Sequence, residues 1–133
     1  GVGTAQRCLD LMCDYAQQRV TFGEKLANRQ AVQWMITDTY VELQAARLMV
    51  YNVADLASKG QIDRTDGFTQ KMYGVELGFR AADRCMQVHG GIGLTNDLPI
   101  ENFWRQSRSF RITEGPTEIM KMVIARNILR NYA

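Results

Sequence analysis

Apolar residues recur at helical spacing along nearly the whole chain. Ala5, Leu9, Met12 and Ala16 step by four, three and four, which puts them on one side of a helix and predicts α-structure from about residue 2 to 19. Val32, Ile36, Thr39, Leu43, Ala46, Val50, Val53 and Ala57 keep the same four-three rhythm. They predict a second helix of ~30 residues, about 45 Å long, closed by basic Lys59 and by Gly60 beyond it. Asp63 can cap a third helix, with the stripe Phe68, Met72, Val75, Phe79, Ala82 and Met86. Gly74 and Gly78 fall inside it at a cost of about 1 kcal/mol each relative to alanine, and so predict a close approach by another helix. The glycines at 90, 91 and 93 end it. Asp97 and Pro99 then predict a short helix to about residue 108. Gly115-Pro116 opens a last helix to about residue 131, with Pro116 at its first helical position. No segment alternates as a strand does. Long helices joined by short connections predict an all-α fold, an up-down four-helix bundle with one additional short helix.

Composition narrows what such a bundle could do. The 133 residues fit one domain, and 46% of them are apolar, as in an ordinary globular core. Sixteen basic and 14 acidic residues leave a net charge of only +2, so neither nucleic acid nor an anionic membrane is called for as a partner. No run approaches the ~18 apolar residues of a membrane span, and no secretory signal opens the chain. It begins without methionine inside a helix, which reads as part of a longer protein. Cys8, Cys13 and Cys85 form no Cys-x-x-Cys pair and read as free thiols of a reducing compartment. A carboxylate-bridged metal pair would need Glu-x-x-His on two helices. The single histidine, His89, has no glutamate three residues before it, and no metal is expected.

Three segments exceed what a bundle requires: Arg19 to Leu26 with Gln30 and Gln33 after it, Gln87 to Gly93, and Arg111 to Ile119. Each lies at a helix end or connection, where functional groups sit on rigid supports. Singly they are bland. Arg-x-x-Phe-Gly is an ordinary helix exit with Gly23 as the cap. Gly-Gly-x-Gly is more often a tight turn than a phosphate cradle, although its backbone N–H groups can approach a pyrophosphate. His89 is more often packed or turned to a ligand than a base. Glu114 before a helix start is favourable on dipole grounds alone.

In this order and spacing they resemble the C-terminal domain of the acyl-CoA dehydrogenase family. The resemblance rests on R-x-x-F-G-x-x-L from Arg19, Q-x-x-Q from Gln30, Q-x-x-G-G-x-G from Gln87, P-x-E from Pro99 and E-G-x-x-E-I from Glu114. It spans the whole chain and implies that residues 1–133 are the helical domain of a larger three-domain flavoenzyme. It implies FAD as cofactor and an acyl-CoA thioester as substrate. Glu114 would take the proton next to the thioester, while hydride from the next carbon passes to flavin N5. Two hydrogen bonds polarise the thioester carbonyl in this family, one from the flavin ribityl chain and one from the backbone N–H of the glutamate. Arg19 would meet the pyrophosphate of a neighbouring subunit's FAD. Thr21, Phe22 and Gln30 would line the adenosine end, and Gln87, His89, Gly90 and Gly91 the phosphates and ribose.

The resemblance further implies a homodimer or homotetramer with the bundles at its core, and an electron-transferring flavoprotein as acceptor. It implies a bacterial cytoplasmic or mitochondrial matrix location, and no turnover by the isolated domain. Two positions depart from a common family pattern, E-G-T-x-Q. Pro116 stands where the threonine is expected and Glu118 where the glutamine is. The threonine's hydrogen bond to flavin then either disappears or passes to Thr117, and Glu118 can only accept. Gln106-Ser107 also follows Arg105 where an acidic residue is frequent. The alternatives are a related acyl-CoA oxidase and a family member that has become a non-catalytic scaffold.

Overall fold

Helices form wherever the apolar spacing demands them. The computed structural model describes residues 1–132, and among these it has α1 (Val2–Gln18), α2 (Gln30–Ser58), α3 (Arg64–His89), α4 (Ile100–Phe110) and α5 (Thr117–Arg130). The all-α bundle expected from the sequence is the observed architecture, with α4 as the additional short helix. α2 runs for 29 residues. It stops at a paired turn: Gly60 takes a φ of +67°, its N–H bonds to Ala57 O, and the Gln61 N–H bonds to Leu56 O. Asp63 caps α3 as expected. Its carboxylate accepts from the N–H groups of Thr65 and Asp66, and Asp66 accepts in return from the Asp63 N–H.

α3 is the central element and packs against each of the other four helices. α1 lies parallel to it. Gly1 rests on Gly74 and Gly78 at one end, where a Cβ on Gly78 would come within 3.1 Å of the Gly1 Cα, and Tyr15 stacks on His89 at the other. The close approach expected is therefore present at Gly78, whereas a side chain on Gly74 would meet nothing within 4 Å. α2 is antiparallel to both and is tied to them by Arg47 donating to Gln6 (2.6 Å) and by Glu42 accepting from Arg80 and Arg84. α4 and α5 follow one another antiparallel along α3. Trp104 donates to Asp83 (3.0 Å) beside its C-terminal half, and Asn127 donates to Thr65 (2.7 Å) at its start. The break between α4 and α5 thus faces the middle of α3. The core joins Cys8, Met12, Leu43, Leu77, Cys85 and Ile100 across small residues such as Ala5, Ala46, Ala81 and Ala82. Each large member contributes roughly 1.5–3 kcal/mol.

Five expectations need correction. Residues 20–25, expected to hold no strand, form a minimal antiparallel hairpin: β1 (Val20–Thr21) pairs Val20 with Lys25 and Thr21 with Glu24 of β2 (Glu24–Lys25). Gly23 is accordingly not the cap of α1, which ends at Gln18, but the second residue of the hairpin turn. In α3 the fully buried face is Gly74, Leu77, Gly78, Ala81, Ala82, Cys85, Val88 and His89, so only Ala82 of the expected stripe belongs to it. Small residues win that face because α1 approaches closely there. Pro116 is the N-cap of α5, with ψ of 148°, rather than its first helical residue. On α2, Thr39, Leu43 and Ala46 are fully buried, whereas Ala57 is exposed. A further set on α2, Trp34, Val41 and Leu48, stands seven residues apart and faces outward.

Candidate functional site

The first group of candidate residues forms around the break between α4 and α5. Beyond Phe110 the chain turns through residues 111–114, and the Arg111 carbonyl accepts from the Thr117 N–H (3.2 Å), so the loop closes on itself. Glu114 has a φ of +56° and Gly115 of +105°. A non-glycine residue in that region costs of order 1 kcal/mol or more and persists only where its surroundings impose it. Here α3 imposes it from two points. Lys71 donates through Nζ to the Glu114 carbonyl and lies 3.4 Å from the Thr113 carbonyl. One turn on, Glu76 Oε1 accepts from Arg111 Nε (2.8 Å) and from Thr117 Oγ1 (3.2 Å), gripping both stems of the loop. Arg111 also lies over the Phe79 ring, 5.3 Å from its centre. The Glu114 side chain is exposed and has no hydrogen bond or ion pair among the described residues. Thr117 is buried with its hydroxyl turned inward to Glu76, while Glu118 is exposed in the first turn of α5.

The second group gathers where α1 and α3 end side by side. Arg19 leaves the helix in extended conformation, and its carbonyl accepts from the Leu26 N–H at 2.9 Å. Its guanidinium has no partner among the described residues. Phe22 and Gly23 both take left-handed φ values, +51° and +78°, the pattern of a two-residue hairpin turn. The turn holds the Phe22 ring 99% exposed. Arg29 braces the hairpin, donating to the Thr21 carbonyl at 2.8 Å and approaching Glu24 at 4.0 Å. Gln30 is exposed at the first position of α2.

Across from the hairpin, Gly90 adopts φ 63°, ψ −139°, which only glycine tolerates. Gly90 and Gly91 are exposed, and a side chain on either would meet nothing within 4 Å. A hollow of about 180 Å³ lies beside them, lined by Asp83, Met86, Gln87, Gly90 and Leu94. His89 is different. It is 5% exposed, stacked on Tyr15 at 4.3 Å, with Nδ1 2.8 Å from the Cys85 carbonyl. A carbonyl only accepts, so Nδ1 carries the hydrogen. Burial lowers its pKa below the usual imidazole value, partly opposed by that bond. Its ring serves the packing of the end of α1 on the end of α3.

The sequence-predicted residues therefore fall into two sets. Glu114, Thr117 and Glu118 lie beside the Lys71–Glu76 stretch of α3. Arg19, Thr21, Phe22, Gln30, Gln87, His89, Gly90 and Gly91 lie at its His89 end, about 27 Å away along the helix axis. An unpaired guanidinium, an exposed ring and open glycine backbone suit a ligand with anionic and flat aromatic parts, as FAD is. Lys71, Glu76 and Arg29 were not singled out in the sequence. Lys71 and Glu76 act on residues 35 to 43 positions away and Arg29 on one eight positions away, and no local pattern marks them.

The sequence matches the family described as acyl-CoA dehydrogenase, C-terminal domain, over residues 1–129. It is 41% identical over 128 residues to (R)-benzylsuccinyl-CoA dehydrogenase of Thauera aromatica, covering 96% of this chain and 32% of that protein. To the subunit CarC of the caffeyl-CoA reductase-Etf complex of Acetobacterium woodii it is 34% identical, over 97% of this chain and 34% of the relative. Among solved structures, one of a putative acyl-CoA dehydrogenase from Mycobacterium abscessus superposes with a TM-score of 0.96 at 30% identity, over 99% of this chain and 33% of the other. The chain thus spans about a third of the length of the relatives it matches.

Proposed function

This chain belongs to the acyl-CoA dehydrogenase family as a C-terminal domain, and on that premise we propose that the protein containing it is an FAD-dependent acyl-CoA dehydrogenase with Glu114 as its base. The observation that carries the proposal is the state of Glu114. It occupies a conformation that costs folding energy, and its carboxylate is engaged by nothing in the bundle. A glycine there would relieve the strain, so a glutamate at this position supports a role for the side chain outside the fold.

When bound, FAD supplies the two-electron acceptor, and the chain's own residues supply position and charge. The Glu114 carboxylate removes the proton next to the thioester carbonyl. Its own N–H, which bonds to no backbone carbonyl among the described residues, donates to the carbonyl oxygen and stabilises enolate charge. Closure by the other domains excludes water and raises the basicity of the carboxylate. Glu118, in the first turn of α5, accepts from the adenine amino group or a ribose hydroxyl of the FAD. Thr117 keeps its hydroxyl on Glu76, so in the bundle as it stands that group does not stand in for the hydroxyl that Pro116 lacks.

At the far end, Arg19 pairs with pyrophosphate, Thr21, Phe22 and Gln30 form the adenosine wall, and Gln87, Gly90 and Gly91 take the phosphates and ribose. His89 acts there by holding the glycine turn. The ~27 Å between the two ends supports a reading in which one chain serves two flavins, its own through Glu114 and a neighbour's through Arg19. The outward row Trp34, Val41 and Leu48 supports a homodimer or homotetramer built on α2. The Etf complex named for the Acetobacterium relative supports an electron-transferring flavoprotein as acceptor.

The test is Glu114→Gln in the full-length protein, followed by anaerobic reduction of its flavin with a panel of acyl-CoA thioesters. The variant is expected to keep its FAD and to lose about 10²- to 10⁴-fold in reduction rate. Reduction at the normal rate would remove Glu114 from the role of base.

A further inference from the structure

We infer that Lys71 is a positioning residue for both duties of Glu114, through the two carbonyls it binds. The inference rests on the reading of Glu114 as base and carbonyl donor, and it concerns a residue 43 positions away on another helix. Lys71 Nζ donates to the Glu114 carbonyl and lies 3.4 Å from that of Thr113. The Thr113 carbonyl and the Glu114 N–H belong to one planar trans peptide, so they point in opposite directions. A cation holding the oxygen toward α3 therefore turns the N–H away from α3, where a thioester carbonyl would meet it. The same cation draws electron density out of the amide and makes its N–H a stronger donor. The bond to the Glu114 carbonyl does a second job. It fixes the following peptide, and with it the φ of +56° that sets the direction of the carboxylate.

Lys71 is suited to this. It is half-buried on α3, and no acidic side chain pairs with it among the described residues, so its charge is spent on the loop alone. Glu76 grips the stems of the same loop through Arg111 and Thr117 but reaches neither of the two peptides at Glu114. The stems are thus held whether or not Lys71 is present, and the orientation of the central peptide falls to Lys71.

The experiment compares Lys71→Met, Lys71→Arg and Glu114→Gln in the full-length holoenzyme. Three quantities are read: the rate of flavin reduction, KM, and the infrared stretch of a ¹³C-labelled thioester carbonyl in bound 2-enoyl-CoA. Lys71→Met should lose about 10- to 100-fold in rate with KM changed less than about threefold, because a misdirected donor and base lower the rate more than binding. The carbonyl stretch should move back toward its frequency in solution, and Lys71→Arg should restore much of both. If Lys71→Met reduces flavin at the normal rate, or slows while the carbonyl stretch stays in place, the inference is overturned. The same holds if Lys71→Arg is as impaired as Lys71→Met. The Glu114→Gln control separates the two claims. If it too is fully active, the base assignment falls and takes this inference with it. If it is inactive beside an unaffected Lys71→Met, only the inference falls.

Discussion

Replacing Glu42 by glutamine isolates the charge network that fastens α2 to α3. Glu42 accepts from Arg80 Nε at 3.0 Å and from both terminal nitrogens of Arg84 at 3.1 and 3.4 Å. Its side chain is 24% exposed, that of Arg84 20%, and that of Arg80 38%. Losing one partner of a fully buried pair costs about 3–5 kcal/mol, and an exposed pair contributes only about 0–1 kcal/mol. With these groups largely but not wholly out of water, about 1–3 kcal/mol is expected for Glu42→Gln at pH 7, read from urea unfolding of both proteins. The pH dependence is the sharper part. Burial alone would raise the carboxyl pKa, yet the bonds from Arg84 and Arg80 outweigh it and hold the group below its usual value. A carboxyl depressed in the folded state stabilises fully above its unfolded pKa of about 4.3, and that stability is lost as pH falls through the lower folded value. The gap between the two proteins should therefore be constant from about pH 7 to 5 and close below about pH 4. A gap that is as wide at about pH 3 as at pH 7 would refute the electrostatic account and leave packing as the cause.

Arg19→Ala should lower FAD retention and weaken the oligomer while leaving the unfolding midpoint of the isolated domain unchanged, since the guanidinium has no hydrogen bond or ion pair among the described residues; unaltered flavin content would exclude the pyrophosphate role. His89 is the chain's single histidine, so its proton resonances can be titrated without ambiguity, and the midpoint should lie below about 6.5 because burial penalises the charged ring. The unfolded chain then binds that proton more readily than the folded one, and stability declines as pH falls from about 6.5 to the folded midpoint. A midpoint at or above about 6.5 would show that the ring is not buried as described.

The sequence was most legible where one rule acted alone. α1 buries Ala5, Leu9, Met12 and Ala16 as their spacing requires, and Asp63 caps α3 through a contact confined to four residues. α3 was misread because the expected stripe was drawn through large residues. A helix surrounded on several sides half-buries Phe68, Met72, Val75 and Phe79, and reserves its most enclosed face for Gly74, Gly78 and Ala81, where backbones come together. Phe22-Gly23 looked like a helix exit because the hairpin depends on Arg29 reaching back eight residues. At the candidate site, Glu114 was singled out by its resemblance to a family motif. The left-handed turn beneath it and the two α3 side chains that impose it come from contacts 35 to 43 residues apart, beyond any local pattern.

The single uninterrupted α3 also acts as a ruler. Lys71 holds the Glu114 loop and His89 stacks on Tyr15, with no loop between them to absorb a change in length. Inserting one residue near Leu77 would lengthen that span by only about 1.5 Å but rotate one end against the other by about 100°. The turn at Gly90 would then face a different side of the bundle, and the stack of His89 on Tyr15 would be lost. Substitutions along this rod are graded in their effect, whereas insertions and deletions are all-or-none. The phase of the helix, more than its length, sets the angle between the Glu114 loop and the Gly90 turn.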